Sequence, residues 1–299
     1  MSNLLKKYYL LILLIIFGCS NKKDDEVFDS VVVLNTIVLP KIINETSGLE
    51  ILNETFVTHN DSGGEPSLYF FNLNGEIINS IKLEEESFWK VYNNDWEDIT
   101  ADEDYIFIAD IGNNFGNRNN LNIIKVKITD FSIVGKIDIS YTDQETFLPR
   151  PKHKYDAEAI FLIEDKIAIL SKDRNNFFTD LYLVDKQNNS RQVLESKITY
   201  DVNSLITGGD YDEELNLLAL VSYNSKGNQY LILFENFSLE KLTEKQFKKF
   251  KIPLERAQVE AIKIIDKNTF WITSEDEGIG NPFMYKIGLK EKNAPNKTN

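Results

Sequence analysis

Hydrophobic residues along this chain fall into short apolar runs rather than into the wider spacing of amphipathic helices. Residues 106–109, 167–170 and 218–221 are examples, and Asn, Asp or Gly residues stand close to each of them. Runs of about four to eight residues that are rich in Ile, Val, Phe and Tyr, and are bounded by turn formers, are typical of β-strands. The pattern therefore predicts an all-β protein.

These runs belong to a unit that repeats about every fifty residues. Each copy opens with a Glu-small-Ile motif or a variant of it, continues into a second apolar run, and is followed by a third and often a fourth. The five copies open at Ser47-Gly48-Leu49, Glu97-Asp98-Ile99, Glu158-Ala159-Ile160, Gly209-Asp210-Tyr211 and Glu260-Ala261-Ile262. Four antiparallel strands in each of several copies are typical of the blades of a β-propeller.

The ends of the repeat indicate how the ring closes. The last copy lacks a fourth strand, and the apolar segment 31–39 precedes the first copy without a partner there. Pairing the two would remove an exposed sheet edge, so we expect five four-stranded blades closed by this N-terminal strand. Six blades stay possible if the wide spacing around residues 142–154 contains another unit. Residues 192–198 are predicted as a fourth strand, and residues 239–250 as a short helix-like decoration.

The first residues resemble a bacterial lipoprotein signal. Two lysines precede an apolar run over residues 8–17, and Gly18 stands directly before Cys19, the only cysteine of the chain. A basic start, a short apolar core and a small residue are the parts of a secretory signal. Cys19 then resembles the lipidated cysteine of a lipobox, and a single cysteine leaves no internal disulfide.

Four segments follow from this interpretation. We expect a signal peptide over residues 1–18, a polar tether over 19–30, the propeller over 31–289 and a flexible tail over 290–299. The predicted location is the cell envelope, as an outer-membrane lipoprotein that is either periplasmic or exposed at the cell surface. The membrane contact would be the lipid anchor alone.

The charge balance restricts the partners. The chain carries 33 basic and 47 acidic residues, a formal net charge of −14. An acidic surface repels phosphate backbones, so nucleic-acid binding is not expected. We expect a monomer that binds a protein or a small-molecule ligand.

Seven ordered motifs resemble a family of secreted bacterial propeller lipoproteins. They are Ser47-Gly48-Leu49, Thr58-His59-Asn60-Asp61-Ser62-Gly63, Asp95-Trp96-Glu97-Asp98-Ile99, Asp110-Ile111-Gly112-Asn113-Asn114, Asp156-Ala157-Glu158-Ala159, Thr207-Gly208-Gly209-Asp210 and Glu260-Ala261-Ile262. The chain is more distantly similar to phytase-like and SMP-30-like propellers. That resemblance implies a divalent metal, and more weakly a hydrolytic activity.

Repeated acids indicate where such a metal would bind. If the opening motif lies on the strand that lines the channel, Glu97, Glu158 and Glu260 point at one axis, with Ser47 and Gly209 at the equivalent places. Carboxylates brought together repel one another unless a hard cation such as Ca²⁺ joins them. We expect Glu97, Glu158, Glu260 and Asp110 as metal ligands, and Asp61, Asp156 and Asp210 as neighbouring ligand-binding groups. The alternative is that these acids only accept backbone hydrogen bonds between blades.

Other side chains suggest chemistry at the same mouth. His59 lies on the second strand of its copy and would be a candidate general base, although a lone histidine on a strand is more often packed. Lys172 and Arg174 would hold an anionic group or lie in a solvated loop. Three functions stay open: a cation-binding propeller with a further ligand, a metal-dependent hydrolase of phosphoesterase or lactonase type, and a scaffold without metal. Whether the protein is an enzyme is left undecided.

Overall fold

The protein, described as a computed structural model, is a five-bladed β-propeller. The structure describes residues 28–83, 91–254, 257–276 and 280–291. Cys19 and the predicted signal peptide lie outside these residues. Among the described residues, no helix is long and apolar enough to cross a membrane.

Each blade has four antiparallel strands that are ordered from the channel outward, and in blade 2 a short fifth strand, β13 (Gln192–Leu194), adds in parallel at the outer edge. Blade 1 contains β2 (Thr46–Leu52), β3 (Thr55–Asn60), β4 (Ser67–Phe71) and β5 (Ile77–Lys82). Blade 2 contains β6 (Trp96–Ala101), β7 (Tyr105–Asp110), β8 (Asn122–Lys127) and β9 (Ile133–Tyr141). Blade 3 contains β10 (Ala157–Ile163), β11 (Lys166–Ser171), β12 (Thr179–Asp185) and β14 (Ile198–Tyr200).

The last two blades complete the ring. Blade 4 contains β15 (Leu205–Asp212), β16 (Leu217–Tyr223), β17 (Gln229–Glu235) and β18 (Lys248–Lys251). Blade 5 contains β19 (Val259–Asp266), β20 (Thr269–Ser274), β21 (Phe283–Glu291) and the N-terminal strand β1 (Phe28–Val38). Within the described residues, two short 3₁₀ turns complete the secondary structure, Lys41–Ile43 and Leu239–Lys241.

The N-terminal strand closes the ring as predicted. β1 pairs antiparallel with β21, with Val31 opposite Leu289 and Ile37 opposite Met284. The closing strand is longer at its start than the predicted segment 31–39, because it begins at Phe28. The pairing gives β21 a neighbour on its outer side, which protects a sheet edge that would otherwise be open.

Hydrophobic packing between neighbouring blades holds the ring together. Five buried clusters each combine residues of two adjacent blades; Phe107 of blade 2 packs with Ile167 of blade 3 in one of them. Strands near the channel are covered on both faces, which explains their nearly continuous apolar sequences. The outermost strand β5, in contrast, has mostly exposed or half-buried residues.

Two local predictions were wrong. Residues 192–198 do not form one strand of blade 3: Gln192–Leu194 (β13) instead adds in parallel to the outer edge of β9 in blade 2, and only Ile198–Tyr200 joins β12. The helix-like stretch 239–250 contains one 3₁₀ turn and then enters strand β18, because its Phe250 is required in the core between blades 4 and 5. Residues 142–156 contain no strand, so the wide spacing between Glu97 and Glu158 is an insertion and not a sixth blade.

Candidate functional site

A β-bulge recurs near the start of the channel-lining strand in three blades. The pairing register shifts between Trp96 and Asp98, between Ala157 and Ala159, and between Val259 and Ala261, so Glu97, Glu158 and Glu260 are the extra residues. A bulge re-aims the side chain of the residue that it adds. The three glutamates are therefore structurally equivalent, as their motif predicts.

The fourth blade corrects one equivalence. Its register shifts between Ile206 and Gly208, so the bulged residue is Thr207 and not Gly209. The Thr207 hydroxyl donates to the carbonyl oxygen of Val259 in blade 5 at 2.6 Å. In blade 1, the Ser47 hydroxyl similarly donates to the carbonyl oxygen of Glu97 in blade 2. The two hydroxyl residues therefore join blades.

Carboxylates from neighbouring blades and their adjoining loops meet at one end of the channel. In an antiparallel hairpin, the start of the first strand and the end of the second lie at the same edge. Oxygen atoms of Asp61, Asp95 and Glu97 lie within 4.8 Å of one another, and so do oxygen atoms of Glu97, Asp156 and Glu158. We call these five residues the acidic cluster. Glu97 belongs to both groups and is its centre.

Glu158 is compensated by two cations. The buried ammonium group of Lys172 donates to Oε2 of Glu158, and Nη2 of Arg174 lies 3.3 Å from Oε1. Nε of Arg174 also donates to Asp156 at 2.7 Å. Lys172 and Arg174, predicted to hold an anionic ligand, thus contact acids of the protein itself. Burial still raises the pKa of Glu158, to about 7.

Glu97 has no such compensation. Its side chain is buried, 5% exposed, and among the described residues no lysine or arginine forms an ion pair with it. Burial, followed by repulsion from Glu158, Asp61, Asp95 and Asp156, raises the pKa of Glu97 well above its usual range. A buried carboxyl group surrounded by other acids is either protonated or bound to a cation.

The two aspartates beside Glu97 are perturbed in the same direction. Burial and the neighbouring Asp95 raise the pKa of Asp61 from 3.8 to about 8. Burial raises the pKa of Asp95 to about 6, although the positive charge of Arg118, 3.8 Å away, opposes the rise. One oxygen of Asp61, Oδ1, is buried and has no hydrogen-bond partner among the described residues.

The backbone of one loop lies directly against the cluster. Gly112 follows β7, and a Cβ atom built on it would overlap Oε1 of Glu97 and Oδ2 of Asp95. Only a residue without a side chain leaves these two oxygens in their places. The loop carbonyl of Gly112 accepts a hydrogen bond from Nη1 of Arg118 at 2.7 Å, which fixes its orientation.

Two predicted ligands lie beside the cluster rather than in it. Asp110 accepts hydrogen bonds from Arg118 at 2.7 Å, from Asn94 at 2.8 Å and from Asn122 at 3.1 Å, so its oxygens are occupied. Burial raises the pKa of Glu260 well above its usual range. Of its charged neighbours, Lys172 lowers this pKa and Glu158 raises it, and both effects are smaller than that of burial. Oε1 of Glu260 has no hydrogen-bond partner within the described chain.

Other acids of the channel strands join blades, as the alternative interpretation proposed. Asp98 accepts the backbone N–H of Ile160 in blade 3 at 2.9 Å. Asp210 accepts the N–H of Ile264 at 2.8 Å and pairs with Lys263 at 3.0 Å. The same Lys263 pairs with Glu50 at 2.7 Å. The structure thus places Asp210 in a joint between blades and not in the acidic cluster.

His59 is a packed residue. Its ring is fully buried, stands edge-on to Trp96 at 5.5 Å and has one nitrogen, Nδ1, 3.1 Å from the carbonyl oxygen of Asn60. Burial lowers its pKa to about 4, so the ring is neutral near pH 7. This placement gives the hydrolase hypothesis no solvent-accessible base at His59.

Sequence reasoning missed Asp95 as a member of the cluster. A signal for it was present, because an acid stands two residues before the bulged glutamate in both Asp95-Trp96-Glu97 and Asp156-Ala157-Glu158. The corresponding residue of the fifth blade is Gln258, which hydrogen-bonds Glu260. The two blades with an Asp-x-Glu motif are the two that supply most of the acidic cluster.

Three solved structures show distant similarity to the chain. A luciferin-regenerating enzyme shares 11% identity over 86% of this chain and 97% of its own, with a TM-score of 0.44. The Pan2 WD40 domain of Neurospora crassa shares 11% sequence identity over 86% of this chain and 78% of its own, with a TM-score of 0.43. A hypothetical protein from Leishmania major shares 8% sequence identity over 86% of this chain and 90% of its own, with a TM-score of 0.48. No family model and no curated protein matches the chain. The sheet order, rather than these scores, defines the propeller.

Proposed function

We propose that this propeller binds a divalent cation, preferably Ca²⁺, at the acidic cluster. The observation that carries the proposal is Glu97, a buried carboxylate between four other acids with no ion-pair partner among the described residues. Glu158, its equivalent in the next blade, has both Lys172 and Arg174. An ion beside Glu97 would supply the compensation that blade 2 lacks.

The donor set favours a hard cation. Asp61, Asp95 and Glu97 offer only carboxylate oxygens, which suit Ca²⁺, Mg²⁺ and Mn²⁺ rather than soft transition metals. Ca²⁺ binds oxygens at about 2.3–2.6 Å, so two oxygens on one ion are separated by at most about 5 Å. The spacing within 4.8 Å satisfies this limit. Ca²⁺ also tolerates irregular ligand arrangements better than Mg²⁺, which requires near-ideal octahedral geometry.

Thermal unfolding of the soluble 20–299 chain tests the proposal. An ion that binds only the folded state at 100 times its Kd stabilises by about 2.7 kcal/mol. We expect Ca²⁺ to raise the Tm of the EDTA-treated protein, and Glu97→Gln to abolish the rise. Glu103→Gln is the matched control, because Glu103 lies exposed in the turn at the other end of the same strand. A Ca²⁺ response that is absent from the wild type, or unchanged in Glu97→Gln, would rule out this centre.

We also propose that the chain is attached to the cell envelope through Cys19. The support is the sequence alone: a short apolar segment followed by Gly18 and then by the only cysteine. Metabolic labelling with a palmitate analogue should mark the wild type and leave Cys19→Ala unlabelled. Labelling of both proteins, or of neither, would contradict the anchor.

A further inference from the structure

We propose that a basic pocket beside blade 3 binds the oxyanion group of a ligand, a carboxylate, sulfate or phosphate. Arg150, Lys152 and Lys154 line one cavity of about 280 Å³. All three belong to the insertion between β9 and β10. We call this cavity the basic pocket; it does not depend on a cation at the acidic cluster.

An aromatic ring positions two of the three cations. The Arg150 guanidinium lies 5.5 Å from the centroid of the Tyr155 ring, and the Lys154 ammonium lies 6.0 Å from it. The ring itself is held by Tyr141, stacked at 5.9 Å, and by its hydroxyl, which donates to the carbonyl oxygen of Asp143 at 2.8 Å. Contact with an aromatic face attracts a cation but leaves its hydrogen-bond donors free.

The guanidinium of Arg150 carries hydrogen-bond donors without an acceptor among the described residues. Its Nε is buried without a hydrogen-bond partner, and its guanidinium forms no ion pair with a described carboxylate. Arg118 and Arg174, in contrast, each bind aspartates. A guanidinium presents a planar fork of donors that matches a carboxylate, sulfate or phosphate group. An oxyanion would satisfy the buried Nε.

The acids near the pocket have other contacts. Asp173 also lines the cavity, but its carboxylate accepts the backbone N–H groups of Asn175 at 2.8 Å and Asn176 at 3.0 Å. Asp143 pairs with Lys154 at 2.6 Å, so it offsets only that cation. Lys154 also lies 3.6 Å from Asp180. Arg150 and the exposed Lys152 are therefore the two cations of the pocket that form no ion pair with a described carboxylate. Their hydrogen-bond donors are available to an oxyanion, which accepts charged hydrogen bonds from both kinds of side chain.

His153, which also lines the pocket, is hydrogen-bonded through both nitrogens of its ring. His153 accepts the N–H of Tyr155 at Nδ1, 3.1 Å away, so its proton is on Nε2, which donates to the carbonyl oxygen of Asn114 at 3.1 Å. The backbone N–H of Arg174 donates to the carbonyl oxygen of His153 at 2.9 Å. Because the guanidinium of Arg174 pairs with Asp156 and Glu158, this residue links the pocket to the acidic cluster.

Calorimetric titration with sulfate, inorganic phosphate and acetate tests the pocket. The titrations are made in EDTA and at constant ionic strength, so that neither a metal nor screening changes the result. We expect saturable binding of at least one anion, weakened about tenfold by Arg150→Gln, the loss that one charged hydrogen bond implies. Lys152→Gln should weaken it less. Arg191→Gln is the matched control, because Arg191 is exposed and outside the pocket.

Each outcome decides the proposal. If no anion binds, or if Arg191→Gln weakens binding as much as Arg150→Gln does, the pocket is not an anion site. If Arg150→Gln does not fold, the anion affinity of Lys152→Gln is compared with that of the wild type instead, because Lys152 is exposed. An unchanged affinity in that variant contradicts the proposal. Glu97→Gln should leave anion binding unchanged, which separates this test from the test of the cation centre.

Discussion

Glu97 and Glu158 occupy the same bulge in neighbouring blades, yet only Glu158 is bonded to cations among the described residues. Lys172 is the difference: it follows β11 and is itself 3% exposed, whereas the buried, apolar Ile111 follows β7 at the corresponding place. One blade therefore supplies its own counter-ion, and the other concentrates uncompensated negative charge. This asymmetry is the physical basis of the proposed cation centre.

Removing that counter-ion should be costly. Breaking a buried ion pair by deleting one partner typically destabilises by about 3–5 kcal/mol, because the other charge is left uncompensated. We expect Lys172→Met to lower the free energy of unfolding by this amount in urea titrations without metal. The double variant Lys172→Met/Glu158→Gln should recover part of the loss. Equal destabilisation in the single and double variants would show that the pair is not the cause.

The acidic cluster should make the metal-free protein less stable as the pH rises. The folded-state pKa of Asp61, about 8, is higher than its ordinary value of 3.8. The folded state therefore binds more protons than the unfolded state between these values, and its stability falls from about pH 4 to about pH 8. The raised pKa values of Asp95, about 6, and of Glu158, about 7, also make the folded state less stable as the pH rises.

Urea titrations across this pH range measure the effect. The free energy of unfolding should fall less steeply with pH in Asp61→Asn than in the wild type. Saturating Ca²⁺ should reduce the fall in the wild type, because a metal binds the deprotonated carboxylates. A wild-type profile with the same slope as that of Asp61→Asn would contradict the assigned pKa shift.

Gly112→Ala tests the cation centre without changing any charge. The new methyl group would overlap Oε1 of Glu97 and Oδ2 of Asp95 and displace both. We expect the Ca²⁺-dependent rise in Tm to be lost while the circular dichroism spectrum stays that of a β-protein. Gly64→Ala is the control, since a Cβ there meets nothing within 4 Å. A full Ca²⁺ response in Gly112→Ala would place the ion elsewhere.

Closure of the ring can be tested through one turn. Gly75 lies in the turn between β4 and β5 with φ of +77°, and a Cβ on it would overlap the carbonyl oxygen of Val38 at the end of the closing strand. Gly227 has nearly the same φ, +75°, with open space around it. Both alanine variants carry the backbone penalty of about 1–2 kcal/mol, but only Gly75→Ala adds the contact with β1. We expect it to be the less stable of the two in urea titrations; equal losses would mean that the contact is relieved without cost.

Much of the architecture is encoded locally. A channel strand covered on both faces must be apolar along its length, so the blades are visible as a repeat of short hydrophobic runs. The N-terminal segment, which has no partner in the first copy, could be assigned as the missing strand of the last blade because an open sheet edge there would be unfavourable. Local patterns gave wrong predictions where a segment contacts another blade. Residues 192–194 pair with β9 of the preceding blade. Residues 239–250 have helical propensity, but their last residues form strand β18 because Phe250 packs into the core between blades 4 and 5.

The Glu-small-Ile motif by itself determined that three glutamates stand at equivalent positions, because it marks the same bulge in three blades. Only the tertiary structure decided their different surroundings. Lys172 and Arg174 reach Glu158, and Asp61 from blade 1 meets Glu97 of blade 2. Arg150 forms no ion pair with a described acid, and sequence distance gives no indication of any of these relationships. The physical reason is that charge compensation depends on distances of a few ångströms between side chains of different strands and loops, and those distances are set only when the blades pack into a ring.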